Sequence, residues 1–238
     1  MIDLINYNWM PTVADHALDL SDDFYHGAGV SRLHSHEQLN PENVEEDDIV
    51  FVKTDYLFTG EFQSNILPKI KNKFTLISGI SSYNVSGMEE SILKNDNVKH
   101  WFCTNPPTNH SKIIPLPIGF EEKERAGGNQ KLLNEHMEKA PEWDQKLDKL
   151  YLPYHTPGTS ASRHIEIMFL SSLPFVEVEK NRLDFDEYLD KMSKFKYTLC
   201  LSGAGHDTHR NYESLLLGSV PIMLTTPLKM VFDFYDLP

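Results

Sequence analysis

The stretch LSGAGHDTHRNYESLLLGSVPIML, residues 201–224, decides how the rest of this chain is read. The β-rich run YTLCLS (197–202) leads into it, Gly203 and Gly205 interrupt it, HDTHRNYESLLLG has helical spacing, and VPIML (220–224) is β-rich again. Strand, turn, helix and strand in so short a span predict a β-α-β unit and therefore parallel strands. At about 100° per residue, His209, Arg210 and Glu213 share one side of the helix, and Tyr212, Leu215 and Leu216 share the other. The apolar group predicts the buried face, which turns the polar group toward a cleft.

The same alternation extends outward. Further β-rich runs are IVFVK (49–53), FTLIS (74–78), HWFC (100–103), KIIPLPI (112–118), KLYLPY (149–154) and FVEV (175–178). Helix-compatible segments lie between them: FQSNILPKIKNK, MEESILKND, NQKLLNEHMEKA, SRHIEIMFLSSL and DFDEYLDKMSKF. Strand alternating with helix predicts an α/β layer fold with mainly parallel sheets. The polar stretch EEKERAGGNQ (121–130) reads as a junction. It divides an N-terminal α/β domain, residues 1–120, from a C-terminal Rossmann-like domain, residues 121–238. The first 48 residues match no element clearly, and ENVEEDD (42–48) reads as a solvated acidic loop.

Composition sets outer limits. A chain of 238 residues with 40% hydrophobic content can build ordinary cores, while 22 Lys+Arg against 35 Asp+Glu, a net charge of −13, argues against nucleic acid and anionic membrane surfaces as partners. Cys103 and Cys200 each sit in an apolar run and are expected as reduced, buried thiols. No run of about 18 apolar residues and no basic-then-apolar leader is present, so a soluble, cytoplasmic protein without a membrane span is expected.

In an open parallel sheet, ligands bind outside the carboxyl ends of the strands. Gly203 and Gly205 fall at such an end, where a missing Cβ permits a sharp turn and close approach to the backbone. A helix starting near Asp207, with Asp207 as its N-cap, points free N–H groups at that place, which suits a phosphate. Arg210 can hold a diphosphate through paired hydrogen bonds, and Glu213 can accept two sugar hydroxyls. A simpler reading stays open: Arg210 and Glu213 form a surface i,i+3 pair and the glycines only make a turn.

The run GAGHDTHRNYESLLLGSVPIML resembles the nucleotide-sugar-binding motif of exostosin-like glycosyltransferases, a Gly-x-Gly-x-Asp-x-His-Arg-x-x-Glu pattern followed by Leu, Gly and Pro-Ile. VFVKTDYL (50–57), FTLISGISS (74–82), HWFCTN (100–105) and IIPLPIGF (113–120) are similar, in the same order, to the short soluble branch of that family found in microbes and large DNA viruses. The resemblance implies a GT-B architecture, two Rossmann-like domains with the active site in the cleft between them, and inverting sugar transfer from a nucleoside diphosphate donor. It implies that the N-terminal domain is the acceptor side and the C-terminal domain the nucleotide-sugar-binding side, and that Arg210 meets the diphosphate and Glu213 the ribose. Gly203, Gly205, Asp207, Thr208 and His209 then shape the donor pocket, and Arg163 supplies a second phosphate-binding cation. Two departures stand out: Leu-Ser-Gly (201–203) replaces the Pro-Arg-Gly common in relatives, and the chain stops at FYDLP where relatives continue.

Inverting transfer requires a base for the acceptor hydroxyl and cationic groups for the leaving diphosphate. Asp55, at the carboxyl end of IVFVKT, is the candidate base, with His34, His36 and Glu37 of RLHSHEQ as rivals. HSHE offers two close histidines without further ligands at zinc-like spacing, and Asp184-Phe-Asp186 reads as a cap opening an amphipathic helix with Phe185, Leu189 and Met192 as its apolar stripe. No catalytic metal and no cofactor are expected, and Trp101 and Phe102 are expected in the core. The resemblance therefore implies an inverting, metal-independent glycosyltransferase that moves a sugar, xylose as a first guess, from a UDP-sugar to an oligosaccharide or glycoprotein glycan. The alternative is a non-catalytic nucleotide- or glycan-binding module of the same fold. A phosphohydrolase or kinase ranks last, since no Gly-Lys-Thr/Ser loop is present.

Overall fold

A computed structural model describes residues 4, 7–18, 39–81, 83, 85–123, 125–155, 161–203, 205–223 and 227–238. The chain forms two compact α/β units. One comprises residues 7–118 with 227–235, the other residues 1–6, 119–226 and 236–238. The second boundary differs from the sequence reading: residues 227–235, assigned there to the C-terminal domain, cluster with the N-terminal unit. The reason is apolar. Leu228, Val231 and Phe232 are buried there, and helix α7 (Lys229–Phe234, named here ahead of its place in the chain) packs near strand β5 (Ile113–Pro115).

The N-terminal unit holds a five-stranded sheet in sequential order, with every neighbour parallel. Its strands are β1 (His16–Leu18), β2 (Ile49–Lys53), β3 (Phe74–Gly79), β4 (Val98–Cys103) and β5. Val50, Phe51 and Val52 are all fully buried, because both faces of a parallel sheet are covered. Val50 and Val52 join one apolar cluster with Leu76 and Trp101, while Phe51 points the other way to meet Met10 and Ile77. Each fully buried side chain of this size contributes about 1.5–3 kcal/mol. Trp101 belongs to this core, and its indole N–H donates to Ser78 Oγ at 2.9 Å.

Sequence pattern missed β1, which is only three residues long and is held in place by polar contacts: His16 Nε2 meets Asp48 Oδ2 at 2.8 Å, and Asp15 Oδ2 accepts from the Ile49 amide at 2.8 Å. Asp48 thus gives the acidic loop a structural task, although Glu45, Glu46 and Asp47 are exposed. FQSNILPKIKNK does not form the regular helix its spacing predicts. After α1 (Thr54–Phe58) it makes a wide turn over Phe62–Ile66 and a 3-10 turn over Leu67–Lys69, because Pro68 has no N–H to continue a helix. A short α2 (Glu90–Leu93) completes this unit's central helices.

The C-terminal unit starts with α3 (Gln130–Lys139), capped by the Asn129 side chain on the Leu132 amide. Its sheet contains β6 (Leu147–Leu152), β7 (Val176–Val178), β8 (Phe195–Leu199) and β9 (Val220–Ile222), all parallel, in the order β7-β6-β8-β9. The connecting helices are α4 (Ala161–Leu170), α5 (Phe185–Ser193) and α6 (His209–Leu216). Tyr151 packs with α3, α5 and the end of α6 on one face, and Leu150 and Leu152 pack with Ile167 and Leu170 of α4 on the other. Both cysteines are buried free thiols, and burial pushes the Cys200 thiol up to about 12. No helix among the described residues is long and apolar enough to cross a membrane.

Candidate functional site

The strand order of the C-terminal unit reverses between β6 and β8: from β6 the chain crosses to β7 on one side, and from β8 to β9 on the other. Such a reversal parts the two following connections at the strands' carboxyl ends and leaves a crevice. A cavity of about 610 Å³ lies there, lined by Tyr154 and His155 after β6, Arg163 of α4, Tyr188 of α5, and Thr208, His209, Arg210 and Glu213 at α6. Glu121, Gly127 and Tyr151, together with residues 179 and 181–184 between β7 and α5, also line it. The volume lies within the range of about 300–1,000 Å³ of small-molecule sites.

Helix α6 is more enclosed than its wheel predicts. Asn211, Tyr212, Glu213 and Ser214 are all buried, whereas Leu215 and Leu216, expected as the most buried positions, are only half-buried. Asp207 is not the N-cap. Thr208 takes that position in extended backbone without a side-chain cap bond, and the buried Asp207 carboxylate accepts from Asn211 Nδ2 at 2.9 Å and from the Tyr212 hydroxyl at 2.6 Å. A carboxylate turned into the protein needs such donors, and two residues one turn ahead on α6 supply them. Asp207 therefore organises the helix start from inside and does not line the cavity.

Arg210 and Glu213 are not a surface pair; they meet through a third residue. The Tyr188 hydroxyl donates to Glu213 Oε2 at 2.7 Å and accepts from Arg210 Nε at 3.2 Å. The Arg210 Nη1 donates to His155 Nε2 at 2.6 Å, which fixes the imidazole proton on Nδ1, where it donates to the Pro153 carbonyl at 2.6 Å. Burial and the Arg210 charge push His155 down to about 3, so this ring is neutral at physiological pH. Burial holds the Glu213 carboxyl above its usual range, against the pull of the Tyr188 hydrogen bond and the Arg210 charge. Burial lowers Arg210, but Tyr188, Cys200 and Glu213 outweigh it and leave the guanidinium more firmly protonated than usual.

Arg163 adds the second cation. Its Nε donates to the Ser202 carbonyl at 3.0 Å and its Nη2 bonds the same oxygen. Burial and repulsion by Arg210 both lower it, and the two like charges stand in the lining of one cavity. An anion entering there relieves that repulsion. The Thr208 hydroxyl and the Tyr151 hydroxyl, both in the cavity wall, are buried with no partner among the described residues. His209 Nδ1 bonds the Gly119 carbonyl at 2.8 Å, tying α6 to the opening of the unit.

Of the residues singled out from sequence, Arg163, Thr208, His209, Arg210 and Glu213 line one cavity, and Gly203, Gly205 and Asp207 do not. Gly203 has no left-handed backbone, and a Cβ there would lie 3.5 Å from Arg163 Nη2 in ordinary contact. Among the described glycines, Gly128 leaves the least room for a side chain: a Cβ there would fall 1.7 Å from the Glu122 carbonyl oxygen. Asp55 lies in the N-terminal unit, in the first turn of α1, and its Oδ2 accepts from Lys53 Nζ at 2.6 Å. His34, His36 and Glu37 lie outside the described residues. No group of three or more His, Cys, Asp or Glu among the described residues is arranged to hold a metal. Asp184 caps α5 by accepting from the Glu187 amide at 2.8 Å, and Asp186 bonds His136 at 2.6 Å.

Sequence reasoning missed Tyr188 and His155. Tyr188 falls on the stripe of Phe185, Leu189 and Met192 and so passes for core, but a phenol on a helix that follows a parallel strand carries a polar tip that needs a partner when buried. His155 sits at the start of the loop YHTPGTSAS, at the carboxyl end of β6, a position that by itself marks it for attention. Compared with models of known families and with curated proteins, the chain matches none.

Proposed function

We propose that the cavity at the β6/β8 reversal is the donor site of a glycosyltransferase of GT-B type, binding a UDP-sugar with Arg210 and Arg163 on the diphosphate and Glu213 on the ribose. The observation that carries this reading is that two cations, Arg210 and Arg163, line one cavity with Glu213, a buried carboxylate held by the Tyr188 hydroxyl. Guanidinium groups match diphosphate geometry. A carboxylate held in place by a phenol is pre-ordered to accept hydroxyls, which reduces the entropy lost on binding. As a bond to the anomeric carbon breaks, negative charge gathers on the departing diphosphate, and fixed cations stabilise it without a metal.

On this reading the N-terminal unit receives an oligosaccharide or glycoprotein glycan, Asp55 removes the proton of its hydroxyl, and transfer inverts the anomeric carbon. Asp55 Oδ1 is the oxygen available for this, since Lys53 holds Oδ2. The same ion pair favours a second reading, a non-catalytic module that keeps the nucleotide pocket. Acceptor-stimulated release of UDP separates the two.

The direct test is calorimetric titration with UDP, GDP, UDP-xylose and UDP-glucose. Uridine diphosphates should bind, and Arg210→Met should weaken UDP by about 100-fold, or about 2.7 kcal/mol, while uridine alone is little affected. Absence of heat from every uridine nucleotide rules the reading out.

A further inference from the structure

The N-terminal unit displays an aromatic pair that its fold does not use. Phe58, the last residue of α1, and Tyr83, shortly after β3, stack with ring centroids 4.3 Å apart and planes 7° from parallel. The stack covers one face of each ring, yet Phe58 remains 46% exposed and Tyr83 49%. Core stacking would hide such rings; here the outer faces meet solvent. Both lie beyond the carboxyl ends of neighbouring parallel strands, where Lys53 of β2 is opposite Gly79 of β3, the ligand-binding end of such a sheet.

The backbone around the rings is held in place at a cost. Ile80, the residue after β3, has φ +56, a left-handed conformation that a β-branched residue rarely adopts. Gln63 Nε2 donates to the Leu57 carbonyl at 2.8 Å and reaches the Met88 carbonyl at 3.4 Å, joining the two segments that flank the pair. Two acceptors in those segments, Gln63 Oε1 and Glu89 Oε2, are buried with no partner among the described residues.

We infer that Phe58 and Tyr83 form a stacking platform for a neutral oligosaccharide, with one pyranose lying on an exposed ring face and its hydroxyls directed to nearby carboxylate and amide oxygens. The C–H hydrogens on one face of a pyranose carry partial positive charge and meet the negative face of an aromatic ring. The surrounding charges choose among ligands. Asp55, Glu61, Glu89 and Glu90 occupy the same segments, Asp55 paired with Lys53 and Glu90 with Lys94, so the local balance stays acidic and disfavours phosphates and nucleic acid. The role of this platform as an acceptor site rests on the transferase reading above; the sugar contact itself does not.

The test uses the full chain and a panel of linear pentasaccharides built from glucose, xylose, mannose and N-acetylglucosamine, with binding followed by NMR titration and, in parallel, UDP titrated against the same samples. At least one pentasaccharide should bind the wild type, Phe58→Ala and Tyr83→Ala should each raise its Kd tenfold or more, Tyr83→Phe should keep it within threefold, and UDP affinity should be unchanged in all three. Both rings are about half exposed, so each alanine variant should stay folded, with a melting temperature lowered by only about 2–6 °C through loss of the stack. Failure of every pentasaccharide to bind, or equal binding by wild type and both alanine variants, overturns the platform whatever UDP does. Failure of UDP alone, with sugar binding lost in the variants, overturns the donor-site reading and leaves the platform standing.

Discussion

Replacing Tyr188 by Phe removes a single oxygen from the centre of the cavity network. That oxygen donates to Glu213 Oε2 at 2.7 Å and accepts from Arg210 Nε at 3.2 Å, and Glu213 is only 6% exposed. A hydrogen bond to a charged group is worth about 1.5–3 kcal/mol, so the variant should lose about 2 kcal/mol. For a chain of this length that is a fall in melting temperature of about 4–8 °C. The loss should also depend on pH. Glu213 already titrates above its unfolded range because of burial, and the Tyr188 bond is one of the forces restraining that rise. A carboxyl whose folded value is raised contributes stability that is present below the unfolded value and is lost as pH rises through the folded one. Without Tyr188 the folded value climbs further, so the loss relative to wild type should be small at pH 5 and larger at pH 8. Thermal melts of both proteins at those two pH values measure it. An identical shift at both, or a shift under about 2 °C, would falsify the claim that the hydroxyl stabilises an ionised Glu213.

Three further outcomes follow from the same geometry. His155, held neutral down to about 3, takes up no proton in the folded state while the unfolded ring does; stability should therefore fall as pH drops from about 6.5 toward 3, and His155→Gln should flatten that slope in acid melts. Gly128→Ala sets a methyl carbon 1.7 Å from a backbone oxygen, so it should cost at least about 3 kcal/mol, read as lost soluble yield or a melting point lower by more than about 6 °C. Gly203→Ala meets only ordinary contacts and should melt with the wild type. Glu213→Gln should retain the fold, because the amide can still accept from Tyr188, yet weaken UDP in calorimetry by tenfold or more, whereas Glu213→Ala should also destabilise by leaving Tyr188 and Arg210 around a void.

The strands were legible because burial on both faces of a parallel sheet demands continuous apolar runs, and IVFVK, FTLIS and YTLCLS supply them. What escaped notice were elements decided by contacts distant in sequence. HAL, residues 16–18, is too short to show a period and becomes a strand only because Asp48, 32 residues on, bonds its first side chain. The assignment of residues 227–235 failed for a related reason: LKMVFDF is apolar enough to pack against either unit, and nothing in its own pattern says which sheet has room for it.

The site shows the same division more sharply. Helical spacing correctly put Arg210 and Glu213 on one side of α6, and it could do so because i and i+3 geometry is fixed by the backbone alone. Spacing cannot report depth. It presented the pair as two side chains at a cleft edge, where a direct ion pair would be worth a few tenths of a kcal/mol, whereas Tyr188, 25 residues upstream, stands between them and burial makes each dependent on it. This interposed phenol changes what the pair can do. A direct ion pair would cancel charge and leave little to offer a ligand. With the hydroxyl between them, the guanidinium and the carboxylate stand in the lining of one cavity as the two ends of a single network, opposite chemistry that suits a ligand carrying phosphate at one place and hydroxyls at another.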